Sequence, residues 1–451
     1  MKSTNRVIKH TATALLVMVA TLAQAQQPEP LSLQKAVDMA LENNRSLHIK
    51  KLQVEEKRAK VREDETRKYP SVTVNSTYQY NANLGRLVIP EGSFGALPVN
   101  QTTMVPLPNE AKTFNLGEHH TFNAGATAYQ PITQLGKIKT GIAIDQTDVQ
   151  ISEQEQAKVA LQIRQGVERL YYGMLITQKQ QEEATAKLEL AKLKLYDVES
   201  ALQSGKTIDA SKAGLQASIA DEEQNLLKLT IQMDDYLADL KHLTGLTADQ
   251  VTLEGVDLSA TPTANLEETK AIASKNNVDL KLASLGRAKS ELAIKAAQQS
   301  YRPDVGLVAG YSYQVGNLLY PTHNPFAGIN LKWNIQDLFA NKQVLNQRHF
   351  LRQQAQENIA NTQEQVNNSI EKAYRKINQA TALINVAQRA VQYRTEELNV
   401  QNDRKAAGLN LPSDILVTQS QLAKAQADLL SAQLNYRLAQ SELKILTGDI
   451  K

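Results

Sequence analysis

Between Ser71 and Tyr80 the chain alternates. Val72, Val74, Tyr78 and Tyr80 share one parity, with Ser76 its only polar member; Ser71, Thr73, Asn75, Thr77 and Gln79 share the other. A period of two predicts a strand with one apolar and one polar face. The text around it is helical. Residues 33–68 read as a helix ended by Pro70, because the residue before a proline disfavours the α conformation. Residues 137–204 carry a helical pattern uninterrupted by proline.

The same order of elements is written twice. An offset of 233 positions carries Asn43 and Asn44 onto Asn276 and Asn277, Pro70 onto Pro303, Tyr78 onto Tyr311 and Tyr80 onto Tyr313. Further on the offset is 203: Glu168 falls on Glu371, Tyr171 on Tyr374, Gly205 on Gly408, and the LTG at 243–245 on the LTG at 446–448. The difference is absorbed by a Gly-, Pro- and Asn-rich stretch at about 85–118, expected as a loop of the first copy only. The expected division is a leader over 1–25, a first repeat over 26–250, a linker over 251–265 and a second repeat over 266–451. In the first repeat a helix is followed by strands at about 70–84 and 119–131, a long helix over 137–204 and a return helix over 207–244. In the second, a helix over 266–300 is followed by strands at about 303–315 and 326–335, a long helix over 342–407 and a return helix over 410–446.

Each long helix would measure about 100 Å at 1.5 Å per residue and needs a lateral partner. The second shows its seam. Val366, Ile370, Ala373, Ile377, Ala380 and Ile384 alternate spacings of four and three, and the stripe continues through Ala387 to Val391. Leu188, Ala191, Leu195, Val198 and Leu202 do the same in the first. The lengths allow each long helix to be faced by two shorter ones stacked end to end. The expected pairs are the first return helix with helix 266–300, and the second with helix 33–68.

The other strands are two-faced as well. Phe122, Ala124, Ala126 and Ala128 share a parity, as do Ala327, Ile329, Leu331, Trp333 and Ile335. Strands of this length cross a bilayer when tilted. Four cannot close a barrel, and open edges in lipid leave backbone groups unpaired, so a membrane reading requires oligomerisation. Tyr78, Tyr80, Tyr311, Tyr313 and Trp333 are the candidate membrane-interface aromatics. The other reading is a periplasmic coiled-coil structural or adaptor protein without a pore, since a soluble sheet also has one dry face.

Composition narrows this picture. The chain has 451 residues with only 5% aromatics, a mix suited to long helices, and a net charge of +3 without a basic block, which argues against nucleic acid. Lys2, Arg6 and Lys9, a short apolar run and the AQA at 23–25 read as a cleaved secretory signal. There is no cysteine, so neither a disulfide nor an N-terminal lipid anchor is expected. No later segment is apolar enough for a transmembrane helix. His119 and His120 are the only adjacent histidines and should point oppositely on a strand, a poor metal pair. No phosphate loop, nucleophile elbow or metal cluster appears, so neither an enzyme nor a cofactor is expected.

The sequence resembles the TolC family of outer-membrane efflux factors. The resemblance rests on LSLQKAVDMALENN, the strand openers YPSVTV and YRPDVGL, YQPITQLGK, WNIQDLFANK and the turn regions LQSGKTIDASKAGLQ and KAAGLNLPSDILVTQSQ, and covers essentially all of the chain after the leader. It implies a mainly α fold with a small β part: a duplicated long-helix coiled-coil barrel, joined to a four-stranded contribution to a trimeric twelve-stranded β-barrel. It also implies a homotrimer in outer-membrane lipid, with the helices in the periplasm, docked to a periplasmic adaptor and an inner-membrane pump. Gly205 and Gly408 would then lie at the periplasmic tip. Asp414 looks like the acid that lines the constriction there, with Ser211 at the matching place in the first copy and Asp209 nearby. The family's second tip acid and gating arginine are not matched: Val417 and Asn410 stand at those places. From the residues alone, Gly205 and Gly408 are also simple helix C′ caps, and Asp209 and Asp414 simple helix-start acids.

Overall fold

A computed structural model describes residues 30–100, 103–203, 209–247, 251–255, 265–409 and 412–448. The leader, Gly205 and Asn410 lie outside the described residues. The elements run α1 (Leu33–Asn43), α2 (Arg45–Thr66), β1 (Ser71–Tyr80), β2 (Arg86–Ile89), β3 (Ala96–Pro98), β4 (Met104–Pro106), β5 (Lys112–Asn115), β6 (Gly117–Pro131), α3 (Leu135–Gln203), α4 (Asp209–Thr244), α5 (Leu266–Asn276), α6 (Val278–Ser300), β7 (Asp304–Asn317), β8 (His323–Lys332), α7 (Gln336–Ala406) and α8 (Pro412–Thr447). The fold is mainly α with a small sheet. Two compact units form: Met1–Gln53, Glu153–Leu282 and Ile359–Lys451 in one, and Val54–Ser152 and Ala283–Asn358 in the other. The units cut across the two copies, since each copy contributes to both.

The first unit holds two helical cores. One joins Ala36, Val37 and Ala40 of α1, Ile163, Val167 and Tyr171 of α3, and Leu240 of α4. The other joins Ala273 of α5, Val366, Ile370 and Ile377 of α7, and Leu443 of α8. These are one core built twice. The offsets carry Ala40 onto Ala273, Leu47 onto Leu280, Ile163 onto Val366, Val167 onto Ile370 and Leu240 onto Leu443, and all ten are buried. The heptad seam of α7 is buried from Val366 to Ala380 and half-buried from Ile384 to Val391.

Helices expected to run unbroken over 33–68 and 266–300 are each cut by an asparagine. Asn44 donates its N–H to Ala40 O at 3.0 Å, ending α1, while its Oδ1 accepts from Ser46 N and Leu47 N at 2.9 and 3.2 Å, opening α2. Asn277 does the same between α5 and α6, with Ala273 O at 2.8 Å and Leu280 N at 3.0 Å. A side chain that caps one helix and starts the next bends the chain without a loop.

The return helices end on these bends, which corrects the expected stacking. Asn43 Nδ2 donates to Thr244 O at 3.0 Å, so α4 abuts the α1–α2 bend of its own copy. Asn277 Nδ2 donates to Leu446 O at 2.9 Å, so α8 abuts the α5–α6 bend. The first long helix is still faced across the copies by helix 266–300, as expected: Asp148 and Lys158 of α3 pair with Lys289 and Asp279 of α6 at 2.5 and 2.7 Å, and buried Thr140 donates to Gln299 Oε1 at 2.9 Å. Gly245 and Gly448 close the return helices at φ +73° and +69°. A Cβ on Gly245 would sit 3.1 Å from that of Asn43, and one on Gly448 would overlap the Asn276 carbonyl oxygen.

In the second unit the sheet has strand order β1-β6-β7-β8, all antiparallel. Each strand is anchored at the end nearest the helices. Lys137 Nζ pairs with Asp304 at 2.5 Å, Val305 N donates to Thr133 Oγ1 at 2.8 Å, and Gln130 Nε2 donates to Lys68 O at 3.2 Å. The 85–118 stretch is more ordered than a loop: β2 pairs with β5, and β3 with β4 between them in the chain, as two short two-stranded ladders. β8 starts earlier and ends earlier than the apolar alternation suggests. Trp333 stands just past its end, with Nε1 donating to Tyr301 O at 3.0 Å.

Candidate functional site

The register of the sheet gathers its apolar positions. Val72 lies opposite Ala128, Val74 opposite Ala126 and Tyr78 opposite Phe122. Ala126 lies opposite Tyr311 and Ala128 opposite Ala309. Leu307 lies opposite Ile329 and Val305 opposite Leu331. Directly opposed residues of an antiparallel pair share a face. One apolar face therefore runs unbroken over four strands. The opposite face carries Thr73, Asn75, Thr77, Asn123, Ser312 and Asn330, interrupted by Tyr129, Val308 and Phe326.

Among the described residues, nothing covers the apolar face. Val74 is 77% exposed and Ile329 73%, and all ten residues of β1 and of β8 are exposed. The outer edges of β1 and β8 have no strand partner among the described residues. A broad apolar surface with two open edges calls for an external partner along both the face and the edges.

The five candidate aromatics divide by position. Tyr78, Tyr80, Tyr311 and Tyr313 stand on the apolar face toward the loop end of the strands, and Trp333 beside the helical end. The four tyrosines meet histidines. Tyr78 OH lies 2.7 Å from His120 Nδ1, and Tyr311 OH 2.6 Å from His323 Nδ1. Tyr80 and Tyr313 each bring a ring centroid within 5.2 Å of the same imidazoles. His119 bonds instead to Asn81 O at 2.7 Å, so the adjacent histidines diverge. The role of His323 is invisible in a search for neighbouring histidines. The repeat offsets point to it, since they carry Tyr78 onto Tyr311 and His120 onto His323.

At the turn between α7 and α8, Gly408 adopts φ +67°, with its N–H on Lys405 O at 2.9 Å and the Leu409 N–H on Arg404 O at 2.9 Å. That is a Schellman cap. Asp414 is exposed in the first turn of α8, where a carboxylate is favoured by the helix dipole. Val417 is half-buried in the next turn. Asp209 opens α4 and Ser211 follows in its first turn.

Buried titratable groups lie elsewhere on the helices. Burial pushes the Glu168 carboxyl up, opposed mainly by a hydrogen bond from Ser441, and pushes the Tyr172 hydroxyl up to about 12. The second-copy counterpart Glu371 is lowered by its hydrogen bond from Lys270 at 2.9 Å. Tyr171 OH lies 2.7 Å from both Leu31 O and Glu254 O, tying the segment before α1 to the linker. In the second unit, Asp145 is pushed up to about 6, first by burial and then by its hydrogen bond with Asp64. No cluster of three or more metal-ligating side chains occurs among the described residues. Among the same residues no helix is long and apolar enough to cross a membrane.

Comparison with known proteins gives these features a context. The family model described as outer membrane efflux protein matches residues 36–246 and 271–449, separately on the two copies. Among solved structures, the Campylobacter jejuni CmeC outer membrane channel aligns with a TM-score of 0.73 at 16% identity, over 92% of this chain and 85% of that one. CusC, solved in a study of folding and transmembrane channel formation, aligns with a TM-score of 0.69 at 16% identity, over 92% of both chains. The outer membrane protein VceC of Vibrio cholerae aligns with a TM-score of 0.66 at 16% identity, over 92% and 96%. No match was found among curated protein sequences. At these identities the solved structures speak for the fold, and the family rests on the sequence match over both copies: the chain belongs to the outer membrane efflux protein family, whose members are ducts and not enzymes.

Proposed function

We propose that three copies of this chain close their four-stranded sheets into one twelve-stranded barrel in the outer membrane. The helices then form the periplasmic part of an exit duct. The observation that carries this reading is the sheet: one apolar face continuous over four strands, uncovered, with both edges unpaired. Lipid covers the face, and β1 of one copy pairs with β8 of the next, leaving no edge in hydrocarbon. An eight-stranded barrel from two copies would be filled by side chains, whereas twelve strands leave a lumen. Tyr78, Tyr80, Tyr311 and Tyr313 mark one membrane interface and Trp333 the other.

The duct serves efflux of small molecules or export of polypeptide, working with a periplasmic adaptor and an inner-membrane pump that selects the cargo. The turn at Gly408, with its counterpart at Gly205, forms the periplasmic tip. Asp414, Asp209 and Ser211 line its opening, where carboxylates gathered about a threefold axis favour cations. Purified protein in planar bilayers should conduct with cation preference, and Asp414→Ala should raise conductance and weaken that preference. Unchanged conductance and selectivity would remove Asp414 from the gate. A protein recovered only as a soluble periplasmic monomer, with no conductance, would leave the coiled-coil structural role in place of the duct.

A further inference from the structure

The apolar face is ordered along its strands as well as across them. From the helical end it runs through Val72, Leu307, Ile329 and Leu331, and only then reaches Tyr78, Tyr80, His120, Tyr311, Tyr313 and His323. Beyond these lie the exposed turns. Aliphatic side chains, then hydroxyls and imidazoles, then solvent is the order of chemistry met in a lipid leaflet from acyl chain to headgroup.

The polar groups of this band are paired the same way in both copies. Tyr78 with His120 and Tyr311 with His323 differ by 0.1 Å in their hydroxyl–Nδ1 distance. They do not form a straight row on the ladder. Tyr78 lies opposite Phe122 and Phe122 opposite Val315, so Tyr311 sits four residues nearer the helices. Tilted barrel strands staggered in register bring such positions toward one level.

Each pair also has a fixed donor inventory. If the tyrosine donates to Nδ1, the imidazole keeps Nε2–H as a donor. If Nδ1–H donates to the tyrosine, the hydroxyl proton is the donor. Either tautomer offers one outward proton, and neither His120 nor His323 Nε2 has a partner among the described residues. A ligand that fits must accept hydrogen bonds while lying against an apolar surface.

We infer that the two Tyr–His pairs are repeat-related binding sites for the phosphate of a membrane lipid headgroup, an inference that rests on the apolar face lying in a bilayer. The phosphate oxygens take the outward proton of each pair, and the acyl chains lie along the aliphatic rows below. β1, β6 and β7 carry no lysine or arginine, and the one of β8, Lys332, lies at its helical end, so neutral donors and not a cationic patch hold the headgroup. The contact should therefore depend only weakly on salt.

The test uses the purified full-length protein, delipidated and incubated with phosphatidylglycerol, with retained lipid counted by native mass spectrometry. Wild type should retain phosphatidylglycerol about tenfold more tightly per site than a Phe variant that replaces both members of each pair (Tyr78→Phe/His120→Phe with Tyr311→Phe/His323→Phe) and so leaves no donor, the worth of one hydrogen bond to a charged acceptor. His120→Gln/His323→Gln, which keeps a donor, should recover part of the difference. With a phosphate-free galactolipid the proteins should not differ. Equal retention of phosphatidylglycerol by wild type and the Phe variant would overturn the inference, as would an equal loss of both lipids. Replacing both members of one pair alone, Tyr311→Phe/His323→Phe, serves the same comparison at half the number of sites if the variant with all four changes does not assemble. The membrane reading is tested separately with Val74→Trp in a Trp333→Phe background. Quenching by brominated acyl chains supports it; quenching together with equal lipid retention overturns the headgroup site alone, and no quenching overturns the lipid-facing sheet itself.

Discussion

Asn43 meets Gly245 in the first copy, and Asn276 meets Gly448 in the second. Asn44 and Asn277 make the helix bends on which these contacts depend. The doubled asparagines and the two LTG triplets were plain in the sequence, but not their meeting, because nothing local links positions some 200 residues apart. Asn277 works twice, as a helix cap and as donor to Leu446 O, so Asn277→Ala should cost about 1–3 kcal/mol in chemical denaturation. Gly448→Ala should cost more than Gly245→Ala, since both need positive φ and only the former also strikes a backbone oxygen. Equal costs would mean that the bend relaxes freely.

Asp145 gives a pH signature at the same scale. Its raised pKa means that the folded state holds this proton more tightly than the unfolded state. Its contribution to stability is complete below the ordinary carboxyl range and is lost as pH rises through about 6. Asp64 has the opposite sign. It is lowered by the hydrogen bond from Asp145, then by Arg67 and Lys60, so its contribution falls away only in stronger acid. Lys289 of α6 engages the neighbouring Asp148, at 2.5 Å. Asp145→Asn should therefore match wild type in thermal melting near about pH 3 and melt a few degrees higher near about pH 8. A variant less stable at both would mean that the carboxylate itself is needed.

At the scale of elements, the heptad seam of α7 was legible because a regular period needs no knowledge of the partner. Its fading was not. Between α7 and α8 a groove of about 700 Å³ opens beside Ala387, Ala390, Ala425 and Ala432. Alanine keeps the apolar pattern but is too small to fill the space between helices. Ile370, fully buried, should cost roughly 2–5 kcal/mol on truncation to Ala, and half-buried Ile384 clearly less. Helix content followed by circular dichroism during denaturation would read the difference. The partner of each return helix could not be taken from length, since both pairings gave the same total. It was decided by Asn43 on Thr244 and Asn277 on Leu446. The strand faces were readable because a period of two leaves little choice, whereas the ends of β8 were not, because the alternation of Trp333 and Ile335 carries on past the last ladder bond.

For the whole molecule, the exposed sheet is half of an interface in search of its other half. β1 and β8 are the two edges, separated within the chain by β6 and β7. At about 4.8 Å per strand they lie too far apart for a disulfide inside one copy. The chain contains no cysteine, so an introduced pair reports only on its own contact. The decisive measurement combines Asn75→Cys on β1 with Asn324→Cys, Gly328→Cys or Asn330→Cys on β8, all on the same face. The protein is oxidised in outer membranes and separated under denaturing conditions. One of these registers should give covalent dimers and trimers and nothing larger, as a barrel closed by three copies requires. Monomer alone in every register, or a ladder running past three, would contradict it.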